Sequence, residues 1–192
     1  YATEQDGHSP ELGLTDGADV IFNEALTGAG LGGGVYMSEG TISASDASDL
    51  YSNEAVLGGG AYLVTSTLTI AGEDSEIQYN TSTASGGGVC AYGSIVILDD
   101  QAEIEFNQAG TGGSGSGGGA FLDDSSLYGD KASIHNNAAQ YSGGGVYAIN
   151  GSVFDMDLGG YTCLGAGCSR VYNNIASTGS GGGFYLSDSE AW

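Results

Sequence analysis

The sequence is built from a repeat. An asparagine recurs at intervals of 30, 27, 27, 30 and 37 residues, each time within the same local pattern. An aliphatic residue lies three positions before it, small residues lie five positions before and two after, and three consecutive glycines follow after a variable gap. Repeats of this length form units that cannot bury their apolar side alone, so neighbouring units must stack. The six asparagines are Asn23, Asn53, Asn80, Asn107, Asn137 and Asn174.

The residues between the glycine runs favour short strands. Each triple glycine is followed by an apolar strand, such as VYM, AYLV or VYAI. With 37 glycines and one proline, and with no three-residue period, the chain is neither collagen-like nor rich in long helices. Three short strands per repeat fit the length of the unit. We therefore predict an all-β fold, a right-handed parallel β-helix (β-solenoid) of about six coils and roughly 29 Å in height.

The repeat also predicts the domain organisation. Residues 1–15 precede the first unit and are expected to form an N-terminal segment or an edge strand. Residues 16–192 are expected to form a single β-helix domain with six Asn…Gly-Gly-Gly repeats and an insertion around 155–170. In such a stack the six asparagines should form a ladder of hydrogen bonds along the axis at a bend, where their tolerance of left-handed backbone would help.

One known pattern resembles this one. The aliphatic-x-x-Asn element followed by Gly-Gly-small-aliphatic is similar to the FxxN and GGA(I/L/V) repeats of the polymorphic membrane proteins, which are autotransported surface adhesins. More broadly, it resembles the pectate-lyase-like right-handed β-helix superfamily. The likeness spans roughly residues 16–186, with Ile, Val or Leu in place of Phe and usually a third Gly in place of Ala. It implies the fold more strongly than an adhesin function.

Acidic residues fall into two further columns. Carboxylates recur seven and four positions before the asparagines, and stacked carboxylates repel one another unless they are solvated or neutralised by cations. No cofactor is required, but these oxygens are candidate ligands for Ca²⁺. The alternative is that the aspartates stabilise turns and that acidity serves solubility. The candidate metal ligands are Asp16, Asp19, Asp46, Asp49, Glu73, Glu76, Asp100 and Glu103.

An aromatic column follows the glycine runs. Its neighbours in the strands are apolar on both sides, so alternation predicts that the aromatic rings point outward. Outward rings are a candidate surface for sugar rings or for another subunit. An inverted assignment, with the rings inside, stays open. The column contains Tyr36, Tyr62, Phe121, Tyr147 and Tyr185, with Cys90 in the third coil.

Catalysis finds little support in the sequence. Lys131 and Arg170 are its two basic residues other than histidine, too few for an enzyme acting on acidic polysaccharides. His8 and His135 are expected to be solvated or turn residues. A glycosidase-like acid and base on adjacent coils remains an alternative. It would be drawn from three carboxylate pairs, Asp99/Asp100, Asp123/Asp124 and Asp155/Asp157. Cys163 and Cys168 flank a short loop and are a candidate disulfide, the alternative being three reduced thiols.

Charge and composition narrow the location and the partners. The net charge of −22 disfavours nucleic acid and anionic membranes, and the sequence contains no apolar segment long enough to insert into a membrane. We expect a non-catalytic structural or adhesive module, extracellular or at the cell surface. The alternative is a polysaccharide-binding or polysaccharide-degrading β-helix. Because no polar capping coil follows the sixth glycine run, expected partners are neighbouring coils of a longer stalk, or other copies stacked end to end or packed laterally, together with cell-surface glycans.

Overall fold

The computed structural model describes residues 9–156 and 168–192, and these form a right-handed parallel β-solenoid. All regular structure in these two ranges is β, and every strand pairs in parallel with its equivalent in the neighbouring coil. This confirms the predicted fold class. No helix in these ranges has the length and hydrophobicity needed to cross a bilayer.

Each coil contributes a strand to each of four sheets, which we number I to IV in the order the chain visits them. Sheet I contains Glu11–Leu14 (β1), Thr41–Ser45 (β5), Thr67–Ala71 (β9), Ile95–Asp99 (β13), Ser126–Gly129 (β17), Val153–Asp155 (β21) and Glu190–Ala191 (β25). Sheet II contains Val20–Ile21 (β2), Leu50–Tyr51 (β6), Glu76–Gln78 (β10), Glu103–Glu105 (β14), Ser133–His135 (β18) and Arg170–Tyr172 (β22). Sheet III contains Glu24–Ala25 (β3), Glu54–Ala55 (β7), Thr81–Ser82 (β11), Gln108–Ala109 (β15), Ala138–Ala139 (β19) and Ile175–Ala176 (β23). Sheet IV contains Val35–Ser38 (β4), Ala61–Val64 (β8), Val89–Tyr92 (β12), Ala120–Asp123 (β16), Val146–Ile149 (β20) and Phe184–Ser187 (β24).

The coil therefore has one strand more than the sequence predicts. The ladder asparagine does not end a strand. It lies in the corner between sheets II and III, and a two-residue strand follows it. A two-residue strand is too short to leave an alternation pattern, which is why the sequence shows three strands per unit. At the N-terminal end β1 is the edge strand of sheet I, while most of the predicted insertion lies outside the described residues.

The core is a narrow column of stacked aliphatic side chains. In the four central coils, the residues three positions before the asparagines are fully buried, namely Leu50, Ile77, Ile104 and Ile134. Sheets I and IV add inward positions such as Leu68, Leu98, Leu63 and Leu122, each with no exposed surface. Burial of each side chain of this size contributes about 1.5–3 kcal/mol, so the stacked columns supply the main driving force for folding.

The asparagines form the predicted ladder. The Asn53 N–H donates to Asn80 Oδ1 at 2.9 Å, and the Asn80 N–H donates to Asn107 Oδ1 at the same distance. From Asn53 onward, each amide also donates from Nδ2 to a carbonyl oxygen of the preceding coil, as Asn80 does to Leu50 at 2.8 Å. The same bonds link Asn23 to Asn53, Asn107 to Asn137 and Asn137 to Asn174. Four central asparagines are at most 1% exposed, so the ladder satisfies buried polar groups in the corner.

The left-handed backbone at this corner belongs to a different residue. The residue before each asparagine, and not the asparagine itself, has a positive φ. These residues include large aromatic ones, Phe22 at 56°, Tyr79 at 55° and Phe106 at 50°. A bulky residue with positive φ is strained, and the asparagine hydrogen bonds on either side hold it there. The sequence-based assignment of the left-handed position to asparagine was wrong by one residue.

A serine ladder that the sequence analysis missed closes the corner between sheets IV and I. The Ser66 N–H donates to Ser94 Oγ at 3.0 Å, and the Ser94 N–H donates to Ser125 Oγ at 3.0 Å. Each hydroxyl in turn donates to the carbonyl two residues earlier, as Ser94 does to Tyr92 at 2.8 Å. The ladder continues from Ser125 to Ser152. Serine is common throughout this sequence, so the column carries no distinctive signal by composition.

The triple glycines are required by geometry. The first glycine of each run has a positive φ, for example 64° at Gly58 and 67° at Gly86. A Cβ at the second, Gly87, would lie 2.4 Å from the carbonyl oxygen of Gly118 in the next coil. The third glycine packs against the ladder, since a Cβ at Gly88 would lie 3.1 Å from the Asn107 amide. The glycine runs therefore supply both unusual dihedrals and close packing between neighbouring main chains.

Candidate functional site

The two predicted acidic columns lie in different parts of each coil. The nearer column runs along the start of sheet II, where two of its four carboxylates accept hydrogen bonds from the main chain of the next coil. Asp19 Oδ1 accepts a hydrogen bond from the Asp49 N–H at 3.0 Å, and Asp49 Oδ1 accepts one from the Glu76 N–H at 2.9 Å. These two aspartates therefore have a structural role that needs no cation.

The farther column occupies the turn between sheets I and II. Asp16, Asp46 and Asp100 have positive φ angles of 56°, 56° and 48°, a conformation that aspartate tolerates better than most residues. Asp46, Glu73 and Asp100 line one open groove of about 480 Å³. Lys131 Nζ lies 3.5 Å from Asp100 Oδ1. The turn geometry explains the aspartates, and calcium binding by the eight predicted ligands stays a prediction.

A mixed set of ligands meets on the outer face of sheet II. Glu103 and Glu105 lie two residues apart on β14 and therefore on the same face, and His135 on β18 is in register with Glu105. His135 Nε2 lies 3.0 Å from Glu103 Oε2 and 3.5 Å from Glu105 Oε2. One ligand atom from each residue lies within 4.8 Å of the other two. Of the three, sequence analysis had identified Glu103 as a candidate ligand.

His135 is held firmly in this position. Its side chain is 8% exposed, and Asn136 Nδ2 lies 2.8 Å from its Nδ1. The imidazole stacks on Tyr172 with ring centroids 4.5 Å apart, and Phe106 meets it edge-on at 6.2 Å. The prediction of a solvated or turn histidine was wrong for His135, because parallel register places it inside a column of rings that the linear sequence does not show.

Negative charge is concentrated around the histidine. Burial raises the pKa of Glu76 to about 7, helped by repulsion from neighbouring carboxylates, of which Glu105 is the strongest. Burial also raises the pKa of Glu105, while the charge of His135 lowers it. For Asp49, burial again raises the pKa despite hydrogen bonds from Glu76 and from Gln78. A cation on this face would relieve the repulsion among these carboxylates.

His135 belongs to an aromatic column that sequence analysis did not find. The column runs along the corner that follows sheet II, and successive centroids lie 4.5–6.2 Å apart. Its members come from either one or two positions before the ladder asparagine, so no fixed spacing reveals them. They are Phe22, Tyr51, Tyr79, Phe106, His135 and Tyr172. Matching aromatic residues within a two-residue window could have found the column.

The aromatic column that the sequence does predict lies on the outer face of sheet IV. Alternate strand positions are buried, as at Val35 and Met37, while the aromatic residues between them are half-buried. The exception is Cys90, a free thiol with no exposed surface. At this position Tyr92, two residues later on β12, takes the place of the missing ring. Its ring centroid lies 5.6 Å from that of Tyr62 and 5.9 Å from that of Phe121.

The rings of this column cover one another's faces. Tyr147 and Tyr185 are parallel to within 5° at a centroid distance of 4.9 Å, and Tyr36 and Tyr62 to within 9° at 5.7 Å. Burial raises the pKa of Tyr62 and of Tyr147. Stacked rings present their edges and hydroxyl groups outward, so the ring faces that sugars stack on are covered within the stacked pairs.

The outer face of sheet IV is also nearly free of charge. Beside the aromatic column runs a second outward column, Ser38, Val64, Tyr92, Asp123, Ile149 and Ser187. Asp123 is the one charged residue in these two columns, and its Oδ1 accepts a hydrogen bond from Asn150 Nδ2 at 2.7 Å. In a chain with a net charge of −22, this strip is about two side chains wide and carries a single charge.

The predicted disulfide between Cys163 and Cys168 includes a residue outside the described ranges, so it stays a prediction.

Comparison of the chain with protein-family models, with curated proteins and with solved structures gives no match. The functional assignment therefore depends on the two outer faces described above, the acidic face of sheet II and the nearly uncharged face of sheet IV.

Proposed function

We propose that this chain is a non-catalytic structural or adhesive solenoid that works outside the cell or at its surface, as the resemblance to surface adhesins implies. The observation that carries the proposal is the aromatic outer face of sheet IV, whose two outward columns contain one charged residue, Asp123, on an otherwise strongly acidic molecule. Contiguous apolar surface of this kind is typical of sites where proteins pack against partners. The interior polar groups, by contrast, bond from coil to coil and serve stability.

The ring geometry favours a protein partner over a glycan. Because rings such as Tyr147 and Tyr185 stack face to face, the partner meets ring edges and hydroxyl groups, which suit packing against another flat surface. A second copy of the chain offers the same flat strip. Charge repulsion between two copies is smallest when these nearly uncharged faces meet. We therefore propose lateral packing of two copies through sheet IV as the basic interaction.

Sedimentation equilibrium tests this proposal. The wild-type chain should associate with increasing concentration, and added salt should strengthen association because it screens the overall negative charge while leaving apolar contact in place. The double variant Tyr62→Ser/Tyr147→Ser should remain monomeric. The matched control is Tyr128→Ser, which removes an outward tyrosine from β17 of sheet I and should associate like the wild type.

Two results would overturn lateral packing. One is a wild-type chain that stays monomeric at all concentrations and salt levels. The other is association that the double variant retains. Binding of a polysaccharide by the monomer, lost in the double variant, would instead favour a glycan-binding module. Release of sugar products that depends on Asp99, Asp100, Asp123 or Asp124 would favour a hydrolase.

A further inference from the structure

The ligand atoms on sheet II have a composition that differs from the predicted calcium columns. Glu103 and Glu105 offer carboxylate oxygens, and His135 offers an imidazole nitrogen that faces both of them. Imidazole is a poor ligand for hard cations such as Ca²⁺ but a common ligand for Zn²⁺ and other divalent transition metals. The nitrogen donor therefore changes the class of ion that this face suits.

The spacing of these atoms fits such an ion. Zinc binds nitrogen and carboxylate oxygen at about 2.0–2.2 Å, so two ligands of one tetrahedron lie about 3.4 Å apart. His135 Nε2 lies 3.0 Å from one carboxylate oxygen and 3.5 Å from the other. All three ligand atoms lie within 4.8 Å of one another, so small side-chain adjustments complete three corners of a tetrahedron.

We propose that Glu103, Glu105 and His135 form a binding site for a divalent transition-metal ion of the zinc class, with one coordination position left open to solvent. The proposal is independent of the lateral packing proposed for sheet IV, which uses another face of the molecule. Glu103 and Glu105 are half-buried and lie at the surface, so the ion has a path of entry.

The surroundings hold the histidine as a metal site requires. Asn136 lies 2.8 Å from His135 Nδ1, and its amide oxygen, after a flip of the side chain, would accept the Nδ1 proton and leave Nε2 free for the ion. Tyr172 stacks on the imidazole and fixes the plane of the ring. The two carboxylates sit on a strand paired on both sides, so the main chain beneath the site is rigid.

The test uses the full chain under non-reducing conditions, with Cys90 left as the buried free thiol. The chain is freed of metal by chelator and then titrated with zinc chloride by calorimetry, with native mass spectrometry for stoichiometry. We expect one zinc ion per chain. His135→Asn, Glu103→Gln and Glu105→Gln should each weaken binding more than about 100-fold, and Asn136→Ala should weaken it about 10-fold. Melting curves show which variants keep the fold, and the conservative glutamine variants suffice if His135→Asn does not fold.

Two controls separate this site from general acidity and from the other histidine. Glu54→Gln removes one carboxylate from the register pair of Glu24 and Glu54, which has no imidazole beside it, and should bind zinc like the wild type. His8→Ala should also retain full binding. In ¹⁵N spectra of the imidazole, zinc should shift the Nε2 signal of His135 far more than its Nδ1 signal.

Three outcomes would overturn the proposal. The first is no zinc binding by the wild-type chain at millimolar metal. The second is binding that survives both His135→Asn and Glu105→Gln. The third is displacement of zinc by an equal concentration of calcium, which would indicate an all-oxygen site elsewhere.

Discussion

Removal of one central asparagine should destabilise the solenoid far more than removal of a terminal one. Asn80 makes four side-chain hydrogen bonds in the corner between sheets II and III. Its Oδ1 accepts from the Asn53 N–H at 2.9 Å and from Asn53 Nδ2 at 3.1 Å. Its Nδ2 donates to the Leu50 carbonyl at 2.8 Å and to Asn107 Oδ1 at 3.0 Å. Asn80→Ala removes all four.

The magnitude follows from which partners keep another bond. Asn53 Nδ2 still donates to the Val20 carbonyl, and Asn107 Oδ1 still accepts from the N–H of residue 80. The Asn53 N–H loses its acceptor, and the Leu50 carbonyl loses its side-chain donor, both in a fully buried corner. Each buried group left unsatisfied costs about 1–3 kcal/mol. We expect Asn80→Ala to lower the free energy of unfolding by about 4 kcal/mol.

Asn23→Ala is the matched control in the first coil. The Asn23 side chain is exposed and donates from Nδ2 to the Ile21 carbonyl and to Asn53 Oδ1. Asn53 Oδ1 still accepts from the N–H of residue 23, and water can reach the carbonyl of the exposed Ile21. The free energy of unfolding should therefore fall by less than about 1 kcal/mol. Guanidinium unfolding followed by circular dichroism measures both variants. Hydrogen exchange adds a local measurement. In Asn80→Ala the main-chain N–H of Asn53 should exchange faster than in the wild type, while main-chain N–H groups in distant coils should keep their protection.

A third variant separates hydrogen bonding from shape. Asn80→Asp keeps the size of the side chain and its acceptor oxygen but replaces both donated bonds with repulsion between a carboxylate and two oxygens. It should therefore be less stable at neutral pH than at acidic pH, where the protonated acid can donate once. If Asn80→Ala lies within about 1 kcal/mol of Asn23→Ala, the ladder is incidental to stability and the reasoning fails.

Three further predictions concern the glycine runs and the buried thiol. Gly87→Ala should lower the free energy of unfolding, measured by heat or denaturant, by about 3 kcal/mol, because its Cβ would lie 2.4 Å from the Gly118 carbonyl oxygen. The control Gly13→Ala, whose Cβ would lie 3.9 Å from its nearest neighbour, should change it by less than about 1 kcal/mol. Cys90 has no exposed surface and its pKa is raised to about 12, so iodoacetamide should label it only after unfolding, and labelling of the native chain at neutral pH would contradict the burial. Because folding raises the pKa of this thiol from 9.0, its contribution to stability is complete below pH 9 and falls as the pH rises toward 12. Alkaline titration followed by circular dichroism should therefore show a smaller loss of stability in Cys90→Ala than in the wild type. Equal losses in the two proteins would exclude the thiol as a contributor.

The asparagine ladder and the core were predictable because they use fixed columns. An aliphatic residue three positions before each asparagine, and glycines that tolerate no side chain, leave the same mark in every repeat whatever the loop length. Stacking then converts equal sequence positions into neighbours about 4.8 Å apart. Asn53 and Asn80, 27 residues apart in the chain, are bonded through both main chain and side chain for this reason.

The metal-binding set was not predictable in the same way. Glu105 and His135 are register partners on neighbouring coils, and glutamate and histidine each occur once in their shared column. A side chain that appears in a single repeat contributes no periodic signal, although it is the departure from the repeat that creates a distinct chemical site. The repeated positions thus predict the scaffold, and the positions where coils differ determine what each part of the outer surface can bind.

Charge is distributed unevenly over the outer faces of the solenoid. The net charge of −22 suggests a uniformly repulsive surface, yet register places carboxylates of three successive coils together on sheet II and leaves a single one among the two outward columns of sheet IV. In a solenoid, equivalent positions of successive repeats stack along the axis. A preference for one residue type at one position of the repeat therefore produces a strip of that type along the length of the molecule. One face is thereby suited to cations and another to apolar contact. Separate variants of Tyr147 and of His135 should therefore alter association and metal binding independently, since residues that share no contacts seldom couple by more than about 0.5 kcal/mol.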